Sequence, residues 1–244
     1  MHTGARTACA GIVLAAGSGT RVGHGRSKAY LPLAGRTMLV WGLETLRGAG
    51  VERLVLAVRP EDVALAREVL HRELPGAVVD LVNGGATRHE SEHRALAHLA
   101  GDIRGGAIDV VLIHDAARPL ASAALTERVL AAALSSGAAV PGVPVENVLA
   151  VDPAGRLAAA DGERLVSIQT PQAFRAGPLL TAYEAAARTG FAGTDTAACV
   201  ERYTDLELVV VPGEPGNLKI TYPDDLLIAE RLLARAGSNQ VGWL

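Results

Sequence analysis

The sequence predicts a Rossmann-like, doubly wound α/β domain with a mostly parallel sheet, and three observations carry that prediction. Short runs rich in Val, Ile and Leu alternate with stretches of helical spacing along nearly the whole chain. Several of those runs are apolar at successive positions, the pattern of strands covered by helices on both faces. The first run leads straight into a small-residue, glycine-rich stretch, at the strand edge where such a sheet presents its ligand.

The elements follow in order. Residues 9–14, 53–58, 77–82, 108–114, 138–143 and 207–211 read as strands. Residues 38–48, 61–73, 88–100, 122–134, 178–188 and 223–236 carry helical spacing. Ser122 and Asp195 are expected as N-caps, and Gly48, Gly137 and Gly237 as helix stops. One segment breaks the alternation. Residues 144–168 read as two short strand-like pieces around Asp152-Pro153-Ala154-Gly155, with no helix between them, which predicts a protruding β-hairpin arm. The expected organisation is one domain over 8–237 that includes the arm, followed by a disordered tail at 238–244.

Composition narrows the class. With 244 residues the chain is long enough to bury a full core, so neither disulfides nor a structural metal are required for stability. Aromatic residues make up only 3%, so that core must be built from Ala, Val and Leu. Cys9 and Cys199 stand alone, which excludes a disulfide framework or a zinc ribbon and suits a reducing compartment. A net charge of −3 gives no global field for nucleic acid or an anionic membrane, so any bound phosphate must be met by local cations. No targeting segment is readable at 1–10 and no long apolar run occurs, and a cytoplasmic location is expected.

The chemistry-bearing residues gather at four stations. The first is Ala15-Ala16-Gly17-Ser18-Gly19-Thr20-Arg21, leading to Ser27-Lys28. Small residues let backbone N–H groups approach phosphate oxygens, and Arg21 and Lys28 supply charge. This is neither a Walker A loop nor a dinucleotide motif, because GxxxxGK[ST] is absent and Val22 stands where a third glycine belongs. The second is His114-Asp115-Ala116-Ala117-Arg118-Pro119, where a buried strand ends in an acid suited to Mg²⁺ or ribose. The same acid is also of the kind that caps a turn. The third, Asn83-Gly84-Gly85-Ala86-Thr87-Arg88, offers backbone groups for a base, and the fourth, 216–221, carries Lys219.

In order, AAGSGTR, SKxYLPLxGxTML, GGxxRxxS, HDAARP, QTPQAF, TDxA and NxKIT resemble the 2-C-methyl-D-erythritol 4-phosphate cytidylyltransferase family and its polyol-phosphate relatives. The resemblance covers about 10–236. It implies a nucleotidyltransferase fold, a requirement for CTP and Mg²⁺, a phosphorylated sugar alcohol as acceptor, and a homodimer built with the arm. Residue by residue, it assigns the backbone of Ala15, Ala16, Gly17 and Gly19 to CTP, and Arg21 and Lys28 to its phosphates. Gly85 and Ser91 would read cytosine, Asp115 would serve ribose and metal, Arg118 belongs to the nucleotide side, and Lys219 would hold the reacting phosphates. Thr194, Lys219 and Arg164 are the expected acceptor contacts.

Departures from the family pattern fall on the acceptor side. Asn147 and Val148 stand in the arm where the family carries an Asp-Thr pair, and Gly162 stands where it carries a phosphate-binding Arg. Arg164 could substitute only if the hairpin register shifted. These changes keep another polyol phosphate or a phosphonate open as acceptor. They also raise a non-catalytic paralogue, against which the joint retention of Arg21, Lys28, Asp115 and Lys219 argues. A different rival comes from His89-Glu90-Ser91-Glu92-His93, which satisfies the HExxH zinc-hydrolase pattern. No third histidine follows at the usual spacing, and two solvated histidines on a polar helix face explain it with less.

Overall fold

The apolar runs become strands of one sheet in a computed structural model that describes residues 7–17, 27–146, 154, 156, 164–191, 193 and 195–240. In chain order the elements are β1 (Cys9–Leu14), β2 (Pro32–Leu33), β3 (Arg36–Thr37), α1 (Met38–Gly48), β4 (Arg53–Val58), α2 (Val63–Glu73), β5 (Val79–Asn83), α3 (Arg88–Arg104) and β6 (Val110–Asp115). They continue with α4 (Ala123–Ser136), β7 (Gly137–Pro144), β8 (Val166–Ile168), β9 (Gln172–Arg175), α5 (Ala176–Thr189), α6 (Thr196–Tyr203), β10 (Glu207–Pro212) and α7 (Pro223–Gln240).

The main sheet runs β10-β7-β9-β6-β1-β4-β5, with β8 added against β7. The β1, β4, β5 and β6 strands are mutually parallel where they pair, and β10 is parallel to β7. The chain moves outward from β1 through β4 to β5 and then returns to lay β6 on the other side of β1. That reversal makes the carboxyl ends of β1 and β6 the switch point where an open α/β sheet binds ligands. The register pairs Leu14 with Asp115, so the loop after β1 starts beside the Asp115 carboxylate.

Alternation along the central strands divides the core. Val13, Leu56, Val110 and Leu112 face α1, α2 and α4 on one side of the sheet. Ala10, Ile12, Val111 and Ile113 face α3, α5 and α6 on the other. With few aromatics, each helix fills its interface with Leu, Val and Ala, and the fully buried Tyr183 and Phe174 are the bulky exceptions. A smaller cluster of Leu33, Met38, Ile220 and Ala229 seats α7 against the β2–β3 hairpin. Ile220 is fully buried there, a contribution of about 1.5–3 kcal/mol. Its backbone N–H also donates to Ala117 O at 2.8 Å, so the segment carrying Lys219 is pinned beside the end of β6.

Several expectations need correction. Gln172–Arg175 forms an antiparallel strand inserted between β6 and β7, although QTPQAF carries no alternation to announce it. The α6 helix also went unread, although its cap Asp195 did not: Asp195 Oδ1 accepts from Ala198 N at 2.8 Å, and Ser122 Oγ caps α4 through Leu125 N at 2.9 Å. Gly237 does not stop the last helix, which carries through it to Gln240, so the first residues of the expected tail are helical. At the root of the expected arm, β8 pairs antiparallel with β7 from Gly142↔Ile168 to Pro144↔Val166. Most of the arm beyond that pairing, including Asn147, Val148 and Gly162, lies outside the described residues.

Gly137 ends α4 and begins β7 at φ +104°, and an added Cβ would sit 2.8 Å from Leu206 Cδ2. Gly137→Ala is therefore expected to cost about 1–2 kcal/mol, a fall in Tm of roughly 2–8 °C for a chain of this size. Thermal unfolding followed by circular dichroism checks it, and an unchanged Tm would show that the turn relaxes without cost.

Candidate active site

The switch point opens into a cavity of about 800 Å³. Its floor is the backbone of Ala15, Ala16 and Gly17 leaving β1, which the resemblance assigned to nucleotide. Ala15 N donates to Ala57 O at 2.8 Å, and Ser27 Oγ donates to Ala15 O at 3.2 Å, so both ends of the intervening loop are tied to the sheet edge. Gly19 and Arg21 lie outside the described residues. Lys28, in a single 3-10 turn, lines the cavity and donates from Nζ to Ile220 O at 2.7 Å.

The GGxxRxxS segment forms one wall. A Cβ on Gly84 would meet Ala16 Cβ at 2.3 Å, so only glycine lets this turn approach the β1 loop. Gly85 N donates to Ser91 Oγ at 3.0 Å, and Ser91 Oγ donates to Thr87 O at 2.9 Å. Thr87 caps α3 by accepting from Glu90 N at 3.0 Å, while Glu90 Oε2 accepts from Ala86 N at 2.8 Å. These local bonds fix the first turn of α3 and aim Arg88 inward.

Asp115 is the electrostatic centre. Its Oδ2 accepts from Lys219 Nζ at 2.7 Å and its Oδ1 from Arg88 Nε at 3.2 Å. Burial alone would push this carboxyl up, but the Arg88 and Lys219 charges outweigh burial and hold it well below the usual carboxylate range. Behind it, Asp115 N donates to Thr170 Oγ1 at 3.0 Å, and Thr170 Oγ1 lies 3.1 Å from His114 Nδ1. Thr170 Oγ1 thus joins the Asp115 backbone to the His114 ring.

The cavity brings together Ala15, Ala16, Gly17, Lys28, Gly85, Ser91, Asp115 and Lys219 of the expected site. It does not include Arg118. That guanidinium donates to Asn217 O at 2.8 Å and Ile168 O at 3.0 Å, stitching the 213–221 segment to the root of the arm. In this structure Arg118 therefore acts as a tie between these two segments. Arg164 is exposed near the arm's root and does not line the cavity, and Thr194 lies outside the described residues. His89 stacks on Tyr183 with ring centroids 4.6 Å apart, and neither His89 nor His93 lines the cavity. Sequence reasoning assigned no role to Arg88, Thr170 or Arg59, which lines the cavity and is paired with Asp62 at 2.7 Å. The Arg of GGxxRxxS and the Thr of QTPQAF were signals that could have pointed to the first two.

A buried, ionised acid flanked by two cations, beside the 15–17 backbone at a sheet switch point, is the arrangement of a Rossmann-like nucleotidyltransferase. Residues 9–235 match the family model described as 2-C-methyl-D-erythritol 4-phosphate cytidylyltransferase. The chain belongs to that family, whose members are CTP-dependent cytidylyltransferases of isoprenoid biosynthesis. The enzyme of that name from Cereibacter sphaeroides is 44% identical over 232 residues, covering 93% of this chain and 97% of its own. That from Solibacter usitatus is 38% identical, covering 91% and 94%. The crystal structure of 4-diphosphocytidyl-2C-methyl-D-erythritol synthase from Anaerococcus prevotii matches with a TM-score of 0.80 at 27% identity, over 93% of this chain and 96% of its own. The Thermus thermophilus cytidylyltransferase structure matches with a TM-score of 0.70 at 34% identity, over 91% and 97%.

Burial lowers the His114 pKa to about 4 from an ordinary value of 6.5. Between those values the unfolded chain binds a proton that the native ring refuses, so stability falls as the pH drops from 6.5 to about 4. His114→Gln is expected to make that decline shallower, measured by urea unfolding at pH steps across the window. Equal slopes for the two proteins would contradict a buried neutral imidazole.

Proposed function

We propose that this chain transfers the cytidylyl group of CTP to 2-C-methyl-D-erythritol 4-phosphate with release of pyrophosphate, as a Mg²⁺-dependent cytoplasmic homodimer. The observation that carries the residue assignment is the Asp115 pair with Arg88 and Lys219 at the mouth of the β1 loop. The acceptor phosphate attacks the α-phosphorus of CTP. No general base is required, because that phosphate is already ionised at neutral pH. Catalysis then reduces to in-line positioning and neutralisation of charge on the phosphoryl oxygens.

In this reading the 15–17 backbone with Gly19 and Arg21 receives the triphosphate, and Lys28 and Lys219 meet the charge that develops at the α-phosphate. Ser91 and the Gly85 backbone face cytosine. Asp115 serves ribose and a divalent cation. Its ionised oxygens are the hard donors Mg²⁺ selects, and among the described residues no group of three or more His, Cys, Asp or Glu gathers to hold a metal alone. A cation at Asp115 would therefore complete its shell with substrate phosphates and water, the usual Mg²⁺ arrangement, and would supply charge neutralisation there.

On the acceptor side, Thr194, Lys219 and Arg164 are the proposed contacts. Gly162 in place of an Arg deletes a charge-assisted bond of about 1.5–3 kcal/mol, which supports weakened phosphate binding relative to the family pattern. The arm is proposed to pack on a second copy of the chain, because a lone hairpin is marginal in water. Among the described residues no helix is long and apolar enough to cross a membrane.

Pyrophosphate release with CTP, measured across methylerythritol phosphate, other polyol phosphates and phosphonates, tests the reading. The expected result is release with methylerythritol phosphate above the other acceptors, and a higher rate with another acceptor would reassign the substrate. Lys28→Ala is expected to cut kcat on the order of 100- to 1,000-fold while leaving Tm nearly unchanged, and a variant of near wild-type turnover would remove Lys28 from the reaction. Light scattering at micromolar concentration is expected to give a dimer, and a monomer would refute the role of the arm.

A further inference from the structure

Glu92 lies one helical turn after Arg88 on α3 and is fully buried. Its Oε1 accepts from Arg88 Nη1 at 2.6 Å and from Thr196 Oγ1 at 2.5 Å, and its Oε2 accepts from the Tyr183 hydroxyl at 2.6 Å. Thr196 Oγ1 also accepts from Arg88 Nη1 at 3.2 Å, so its own hydrogen is directed at Glu92. Arg88 can only donate. It is therefore held between two carboxylates, Glu92 in the interior and Asp115 at the cavity. Thr196 opens α6, directly after its cap Asp195 and two residues after Thr194, which is proposed for the acceptor.

We propose that Glu92 is a positioning residue for cytidylyl transfer, fixing the Arg88 guanidinium against Asp115 and, through Thr196, setting the acceptor-side start of α6 in register with the nucleotide side. The assignment rests on the functional reading above.

Stability alone gives no reason for a carboxylate here. Replacing a buried ion pair by well-packed apolar side chains is often neutral or stabilising, and Leu96, Leu99 and Leu179 are fully buried in the same core. What the charge adds is direction. Glu92 accepts from Arg88 Nη1 and leaves Nε for Asp115 Oδ1, which fixes the guanidinium plane. Glu92 also completes the cluster, setting two carboxylates, Glu92 and Asp115, against the two cations Arg88 and Lys219. A carboxylate three elements deep thus sets the two halves of the site to each other.

The test is a double-mutant cycle with steady-state kinetics normalised to folded protein. Glu92→Gln keeps the volume and removes the charge, and it is expected to lower kcat/KM about 10- to 100-fold, the scale of a small misplacement of reacting groups. Combined with Arg88→Met, it is expected to add almost nothing to the loss caused by Arg88→Met alone, because Glu92 acts through that guanidinium. Losses that multiply would overturn the proposal and leave Glu92 a structural group. Thr196→Val supplies an independent variant with Glu92 intact. The acceptor KM is expected to rise roughly fivefold, the scale of one hydrogen bond, with the CTP KM unchanged, whereas two unchanged KM values would overturn the acceptor half of the proposal. Wild-type protein without any pyrophosphate release would refute the functional reading itself, a result separate from an active wild type with additive variants.

Discussion

A carboxylate cannot be left bare at the end of a buried strand, and much of the site's architecture follows from what Asp115 needs. Burying an ion without partners costs several kcal/mol, and the two cations that offset it come from opposite directions. Arg88 arrives from α3, which requires the Gly84-Gly85 turn to pass within reach of Ala16 and the Thr87 cap to set the first helical turn. Lys219 arrives from the segment before α7, which requires Ile220 to be locked into the small cluster over β2 and β3. The strand order then puts the β1 loop beside that ion pair without further design.

The same centre is braced from behind. Thr170 links the Asp115 backbone to His114, and Asn217 Nδ2 donates to Thr170 O at 2.9 Å. Gln169 Nε2 donates to Glu214 O at 2.7 Å, and Arg118 bridges Ile168 and Asn217. The root of the arm and the Lys219 segment therefore form one hydrogen-bonded unit with the end of β6.

The sequence made the periodic parts legible and left the parts set by long-range contacts obscure. The ranges of β1, α1 and β4 are readable because apolar runs bounded by polar or glycine residues leave little choice. Gln172–Arg175 was invisible because its Gln, Ala, Phe and Arg have no alternation, and their strand state comes from pairing with β6 and β7. Gly237 misled because a glycine near a helix end was weighed as a stop, whereas the helix carries through it. Asp115, Lys28 and Lys219 stood out as charges beside strands or glycines. Arg118 stood out in the same way and bonds Asn217 and Ile168 here, while Glu92 drew notice only within the HExxH pattern, since nothing local announces a carboxylate paired across three helices.

The central claim is that the cavity between β1 and β6 is the CTP site, with Asp115 as its metal ligand. The most direct measurement is a crystal structure with CTP and Mn²⁺, the ion located by its anomalous scattering. The account predicts an anomalous peak at coordination distance from Asp115 and the triphosphate, with the phosphates over the 15–17 backbone and cytosine against Gly85 and Ser91. A nucleotide bound with its phosphates away from that loop, or a metal with no contact to Asp115, would contradict it.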